Sequence, residues 1–141
     1  SEDIGNANPT ALVIANNCFQ AVNIIGHPEA RIILSQTIIY LSCSPKSNTA
    51  YKAINKAQEA VKQNGALPVP LHLINVPTKL MKDLNYGKEY NDSHNHDLNF
   101  VNQEYLPLDL TGTVFFEPGN NDKEKAFRHF LKTRWNEKYN Y

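Results

Sequence analysis

The residues best suited to metal chemistry lie in one histidine-bearing stretch. Ser93-His94-Asn95-His96-Asp97 offers two imidazoles and a carboxylate. A structural zinc site needs four fixed protein ligands, and a catalytic site needs three with a bound water. Because the flanking residues Asn91, Asp92 and Asn99 are typical of a flexible polar loop, we predict a solvated loop here and no metal site.

The cysteines and one further histidine are the remaining candidates for catalysis. Cys18 and Cys43 lack CxxC spacing and lie in apolar helical patterns, so we predict small buried side chains. His72 lies in a proline-bounded apolar segment with no serine or carboxylate nearby in sequence to orient it, which favours a partly buried, hydrogen-bonded imidazole. No GxxxxGK[ST] phosphate loop and no GxGxxG motif occurs, so we predict no catalytic and no cofactor-binding residue.

Charge is distributed in blocks, although 14 basic and 14 acidic residues cancel overall. Residues 27–65 carry +3, residues 66–88 carry +2, residues 89–122 carry −7 and residues 123–141 carry +4. The positive stretch has Tyr86 and Tyr90 nearby, a mixture that binds phosphates and stacks on bases in nucleic-acid-binding proteins. A solvated helix face is the alternative. The candidate DNA or partner contacts are Lys46, Lys52, Lys56, Lys79 and Lys82.

These residues must be positioned by helices, because prolines and glycines divide the chain at helical intervals. Pro9, Pro28, Pro45 and Pro77 each precede a helix-like pattern. Gly26 and Gly65 are placed to end two of the helices, and Asn121 with Glu124 resembles a capping box. We predict a mainly α fold with helices over residues 10–25, 29–43, 46–64, 78–84 and 121–138, and an irregular, tyrosine-rich segment over residues 85–120.

The first two predicted helices carry almost no charge. Between Thr10 and Ser44 only Glu29 and Arg31 are charged. A surface helix of a monomer normally shows charges to water, so we expect this helical hairpin to be covered, most simply by a second copy of the chain. The alternative is a hairpin wrapped by its own chain. Apolar and amide side chains form the candidate oligomer interface: Leu12, Ala15, Asn16, Phe19, Gln20, Val22, Asn23, Ile33 and Ile38.

The third predicted helix is amphipathic, with lysines around an apolar stripe. We expect its lysines to face water. The small side chains of the stripe favour close packing of this helix on the first two. The stripe consists of Ala50, Ala53, Ile54, Ala57 and Val61.

Several separate motifs occur in an order that is typical of one family. Through these motifs, the chain resembles the carboxy-terminal part of the RarA/MgsA family of replication-associated recombination AAA+ ATPases. This family is related to the Werner-helicase-interacting ATPase and, more distantly, to clamp-loader subunits. The resemblance covers about residues 1–118, and the last helix matches weakly. The motifs are Gly26-His27-Pro28-Glu29-Ala30-Arg31, Tyr40-Leu41, Pro45-Lys46-Ser47-Asn48, Pro70-Leu71-His72-Leu73, Pro77-Thr78-Lys79-Leu80-Met81-Lys82, Tyr86-Gly87, Gln103-Glu104-Tyr105-Leu106-Pro107 and Phe116-Glu117-Pro118.

The resemblance implies a domain organisation and an assembly. Residues 1–8 would be the tail of the AAA+ lid, and residues 9–141 would be an all-helical oligomerisation domain like the clamp-loader collar. Family members are homotetramers through this domain. The chain starts without methionine, as expected for a piece of a longer protein. The resemblance implies that ATP and Mg²⁺ bind in an ATPase core outside this piece. The piece itself would bind no cofactor and would not be an enzyme. One departure is Ile74, where the family pattern has arginine.

The resemblance also implies partners and a location. Family members act on DNA ends, gaps and stalled forks together with single-stranded-DNA-binding protein. The longest apolar run, residues 11–15, is far below the roughly 20 residues that span a bilayer, so we predict no membrane segment and a cytoplasmic, nucleoid-associated location.

We therefore predict that the chain tetramerises an AAA+ ATPase working in DNA replication, recombination and repair. A first alternative is a DNA- or partner-docking module in which oligomerisation is incidental. A second is a stand-alone enzyme using His72, His94 or His96, which would require a converging pocket.

Overall fold

The computed structural model describes residues 1–74, 78–84, 87–88, 90–135 and 138–141, with the backbone alone at positions 81 and 82. In this part of the chain, helices are joined by irregular segments and short 3₁₀ turns, and no strand is present. The predicted mainly α fold is confirmed. The helices are α1 (Thr10–Ile25), α2 (Ala30–Ser42), α3 (Thr49–Asn64), α4 (Lys79–Asp83) and α5 (Asp122–Trp135).

Proline and glycine set the bounds of α1 as the sequence predicts. Pro9 precedes its first residue, and Gly26 follows its last with φ +71°, where the glycine N–H donates to the Val22 carbonyl at 3.0 Å. A side chain disfavours this left-handed conformation, which explains why the helix ends at glycine. Gly65, with φ +69°, follows α3 in the same way.

Two helix bounds differ from the predictions by three residues. Helix α3 begins at Thr49, three residues after the predicted start at Lys46, because the Ser47 and Thr49 hydroxyls bind a distant carboxylate. Helix α5 ends at Trp135, and its predicted continuation to Lys138 passes through residues 136 and 137, which lie outside the described residues.

The chain divides into two units. The first comprises residues 1–59 and 115–130 and contains α1 and α2, which pack along each other as a hairpin. Its buried apolar residues are few, namely Ala7, Ala11, Cys18, Ala30 and Pro118. Asn8 ties the chain before α1 to α2, since its Nδ2 donates to the Tyr40 hydroxyl and to Ser44 Oγ, each at 3.0 Å.

Close packing of α3 on the first two helices was predicted and is wrong. No residue of α3 is buried, and in the described chain α3 does not pack along α1 or α2. Ile54 in its apolar stripe is 54% exposed. The contacts at Ser47 and Thr49, rather than the alanine stripe, fix the start of this helix.

The second unit comprises residues 60–114 and 131–141. Trp135 at the end of α5 contacts Phe100 and Tyr139 edge-on, with ring centroids 4.8 and 5.0 Å apart. Lys138 Nζ lies 3.3 Å from the Glu104 carboxylate. Where it is described, the segment from 85 to 120 contains only short 3₁₀ turns, as predicted. Across the described residues, no helix is both long and apolar enough to cross a bilayer.

Candidate subunit interface

The hairpin of α1 and α2 exposes large apolar side chains. Leu12 is 62% exposed, Phe19 69% and Ile38 61%. The rest of the first unit therefore does not enclose the hairpin, which argues against the alternative of a hairpin wrapped by its own chain. Exposed apolar surface of this kind marks an interaction site.

The hairpin has two distinct sides. A crevice of about 230 Å³ runs between the helices on one side, and both Asn17 of α1 and Gln36 of α2 line it. Successive helical residues are about 100° apart. Phe19 and Ile38, each two residues further along, therefore lie on the opposite side. We name this second side the phenylalanine face; its members are Leu12, Ala15, Phe19, Val22, Leu34 and Ile38.

The structure brings most of the predicted apolar interface residues together on the phenylalanine face. Ile33 is different, because it lies half-buried in the crevice on the other side. Leu34, 39% exposed, belongs to the face and was not predicted. Its apolar spacing four residues before Ile38 was the signal that could have found it.

Three amides lie along the outer surface of α1. Asn16, Gln20 and Asn23 are exposed, and none of their side chains bonds to another residue in the described part of the chain. We name these three residues the amide strip. Together with the phenylalanine face, they give α1 an outer surface of apolar and uncharged polar side chains.

A buried carboxylate fixes the elements beside the hairpin. Glu124 is fully buried in the first turn of α5. Its Oε1 accepts hydrogen bonds from Ser47 Oγ at 2.8 Å and Thr49 Oγ1 at 2.5 Å, and its Oε2 accepts from the Gly119 N–H at 2.5 Å. We name this group the Glu124 clasp. It joins the start of α3 to the start of α5.

The predicted capping box is half formed. Asn121 Oδ1 accepts from the Glu124 N–H at 3.0 Å, as a helix cap does. The Glu124 side chain, however, turns into the clasp. A Cβ on Gly119 would overlap Glu124 Oε2, so a side chain at this position would displace the carboxylate from the clasp.

The carboxyl groups of Glu124 and Glu104 both have a pKa below the ordinary value. Burial alone would raise the pKa of Glu124, but the hydrogen bonds from Thr49, Ser47 and the Gly119 N–H outweigh it and hold the pKa below its ordinary value. Burial likewise opposes ionisation of Glu104, yet the Leu106 N–H and Lys138 lower the pKa of this carboxyl as well.

These two shifts predict a loss of stability in acid. A carboxylate whose pKa is lower in the folded chain stabilises it above the unfolded value of about 4.5, and the contribution disappears as the pH falls through the lower folded value. We expect the urea midpoint to be level near pH 6 and to fall below about pH 4.5. The fall in the urea midpoint should be smaller in Glu124→Gln. An equal fall in that variant would show that the Glu124 carboxylate does not cause the loss of stability in acid.

The candidate lysines are partly described. Lys46, Lys52 and Lys56 are exposed in the first unit, before and along α3, and Lys79 is exposed in the second. The side chain of Lys82 lies outside the described residues, as does Tyr86.

The thiol and imidazole groups are the candidates for metal binding and catalysis. Among the described residues, no three His, Cys, Asp or Glu side chains come together to hold a metal. His72 is half-buried, with Nε2 2.8 Å from the Glu104 carbonyl, as predicted. Cys18 is buried as predicted, but the prediction for Cys43 is wrong. Cys43 is exposed because it follows the end of α2.

Comparison with known proteins decides the family. The model of the family "MgsA AAA+ ATPase C terminal" matches residues 1–135. The chain belongs to this family. The match includes α5, and so extends beyond the motifs that end at residue 118. The RarA/MgsA resemblance is therefore confirmed.

Two bacterial relatives of the chain have the same name. The chain is 43% identical over 133 residues to "Replication-associated recombination protein A" of Coxiella burnetii, covering 94% of the chain and 30% of that protein. It is 37% identical over 125 residues to the protein of the same name in Escherichia coli K12, covering 88% and 28%.

A eukaryotic relative is also similar. The chain is 40% identical over 132 residues to "ATPase WRNIP1" of Dictyostelium discoideum, covering 89% of the chain and 15% of that protein. The chain thus spans less than a third of the length of these relatives.

Proposed function

We propose that the chain is the domain that assembles an AAA+ ATPase into a homotetramer, with the hairpin of α1 and α2 as the contact between copies. The observation that carries this proposal is the exposure of large apolar side chains on two helices with almost no charge. The family membership supports it.

Assembly brings several ATPase modules of the parent protein close to the same DNA. Copies held at a fixed geometry have a high effective concentration, so a DNA engaged by one ATPase module is near the others. In the proposal, the parent acts in replication, recombination and repair on DNA ends, gaps and stalled forks, with single-stranded-DNA-binding protein as a partner. Its location is cytoplasmic and nucleoid-associated.

In this proposal, ATP and Mg²⁺ bind outside this chain. The sequence has no phosphate-binding loop, and the described residues hold no converging acidic group. The proposal places binding and hydrolysis of the nucleotide in the part of the relatives that this chain does not match.

The mass of the chain in solution tests the proposal. Light scattering during gel filtration at micromolar concentration should give about four times the chain mass of 16.0 kDa. A particle of one chain mass across the concentration range would overturn the assembly function.

The docking alternative has its own support in the exposed lysines Lys46 and Lys52. It requires binding of gapped DNA by this chain at low salt, and binding should weaken as the salt concentration rises. Salt-dependent binding by a monomer would favour docking over assembly.

A further inference from the structure

We propose that α1 packs antiparallel against α1 of a second copy, about a two-fold axis beside Gln20, with the amide strip as the residues that fix the register. The inference rests on the proposed assembly function and adds to it a specific contact. The occupant of this surface is thus another copy of the same chain.

The spacing of the amides is nearly symmetric along the helix. Asn16 and Asn23 are seven residues apart, about two turns, so they lie on the same side of α1. Their midpoint falls within one residue of Gln20. In an antiparallel pair, Asn16 of each copy faces Asn23 of the other, and the two Gln20 side chains meet near the axis.

Amides suit a two-fold contact better than any charged group would. Each carries both a donor and an acceptor, so a residue can bond to a related amide of the other copy without a complementary partner type. A lysine or glutamate near a two-fold axis would face its own charge. A polar residue within an otherwise apolar helix contact is also known to select one register over its neighbours.

The surroundings of the strip point to a second copy. Leu12 and Phe19 lie to one side of the strip, while Val13 and Ile24 lie to the other; Ile24 is 84% exposed. The strip is thus an uncharged polar line between exposed apolar side chains, as in the centre of an interface between identical subunits.

Cross-linking tests the axis. In a Cys43→Ser background, Gln20→Cys should form a disulfide-linked dimer under mild oxidation, because helices 8–10 Å apart bring residues beside a two-fold axis within disulfide reach. Asn17→Cys is the matched control, since it is exposed on the crevice side and should cross-link at least tenfold more slowly. Equal rates for the two variants would overturn the proposal.

Charge rescue tests the direction. Asn16→Asp and Asn23→Lys should each weaken association at least tenfold, measured by sedimentation, because each buries an unpaired charge. The double variant should recover most of the loss, since each aspartate then faces a lysine of the other copy. In a parallel pair like charges would meet and no recovery would occur, which would overturn the inference.

The two proposals fail in different ways. A monomeric wild-type chain would refute assembly and this contact together. An oligomeric wild type with no selective link at position 20 and no charge rescue would refute the α1 contact alone and leave assembly intact.

Discussion

Replacement of Phe19 by glutamate should dissociate the oligomer without unfolding the chain. Phe19 is 69% exposed and lies on the phenylalanine face, so the glutamate side chain is solvated in a single copy. Glutamate also has a higher helix propensity than phenylalanine, which preserves α1. In the assembled state the same charge would be buried without a partner.

The expected effect on assembly is large. An unpaired charge in an interface costs about 3–5 kcal/mol, which is a factor of more than 100 in the dissociation constant. Light scattering should therefore show a lower mass at concentrations where the wild type is assembled. The circular dichroism spectrum should keep its helical signal.

Matched variants separate the interface effect from a general effect of charge. Phe19→Leu retains an apolar side chain and should stay assembled. Lys62→Glu, at an exposed position near the end of α3, also adds negative charge and should leave the mass unchanged. An unchanged mass for a folded Phe19→Glu would exclude the phenylalanine face as the interface.

Local signals in the sequence were sufficient for the helices of the hairpin. The bounds of α1 follow from Pro9 and Gly26, whose backbone preferences act within one turn. The shortage of charge on both helices predicted that a second copy of the chain covers them. The exposure of Phe19 and Ile38 agrees with this prediction.

Contacts between distant residues were beyond such signals. The Glu124 clasp joins residues 75 to 77 positions apart, so no spacing rule could pair Ser47 or Thr49 with this carboxylate. The apolar stripe of α3 led to the wrong prediction that this helix packs on the hairpin. An alanine-rich pattern indicates that close helix contact is possible, but it does not identify the partner helix. For the same reason, the sequence alone did not separate Ile33 in the crevice from Ile38 on the phenylalanine face.

Loss of the Glu124 carboxylate should be the most destabilising single change beside the hairpin. Glu124→Ala leaves the Ser47 and Thr49 hydroxyls and the Gly119 N–H without their acceptor in a buried site. Each unsatisfied buried group costs about 1–3 kcal/mol, and partial relaxation makes a total loss of roughly 3 kcal/mol the expected result.

Urea unfolding at one fixed protein concentration measures this loss, because assembly also contributes to apparent stability. The matched control is Glu117→Ala, which removes a more exposed glutamate that pairs with Arg128 on the same unit. A surface ion pair of this kind contributes at most about 1 kcal/mol. Equal losses in the two variants would mean that the clasp does not fix α3 to α5, and the start of α3 at Thr49 would then need another cause.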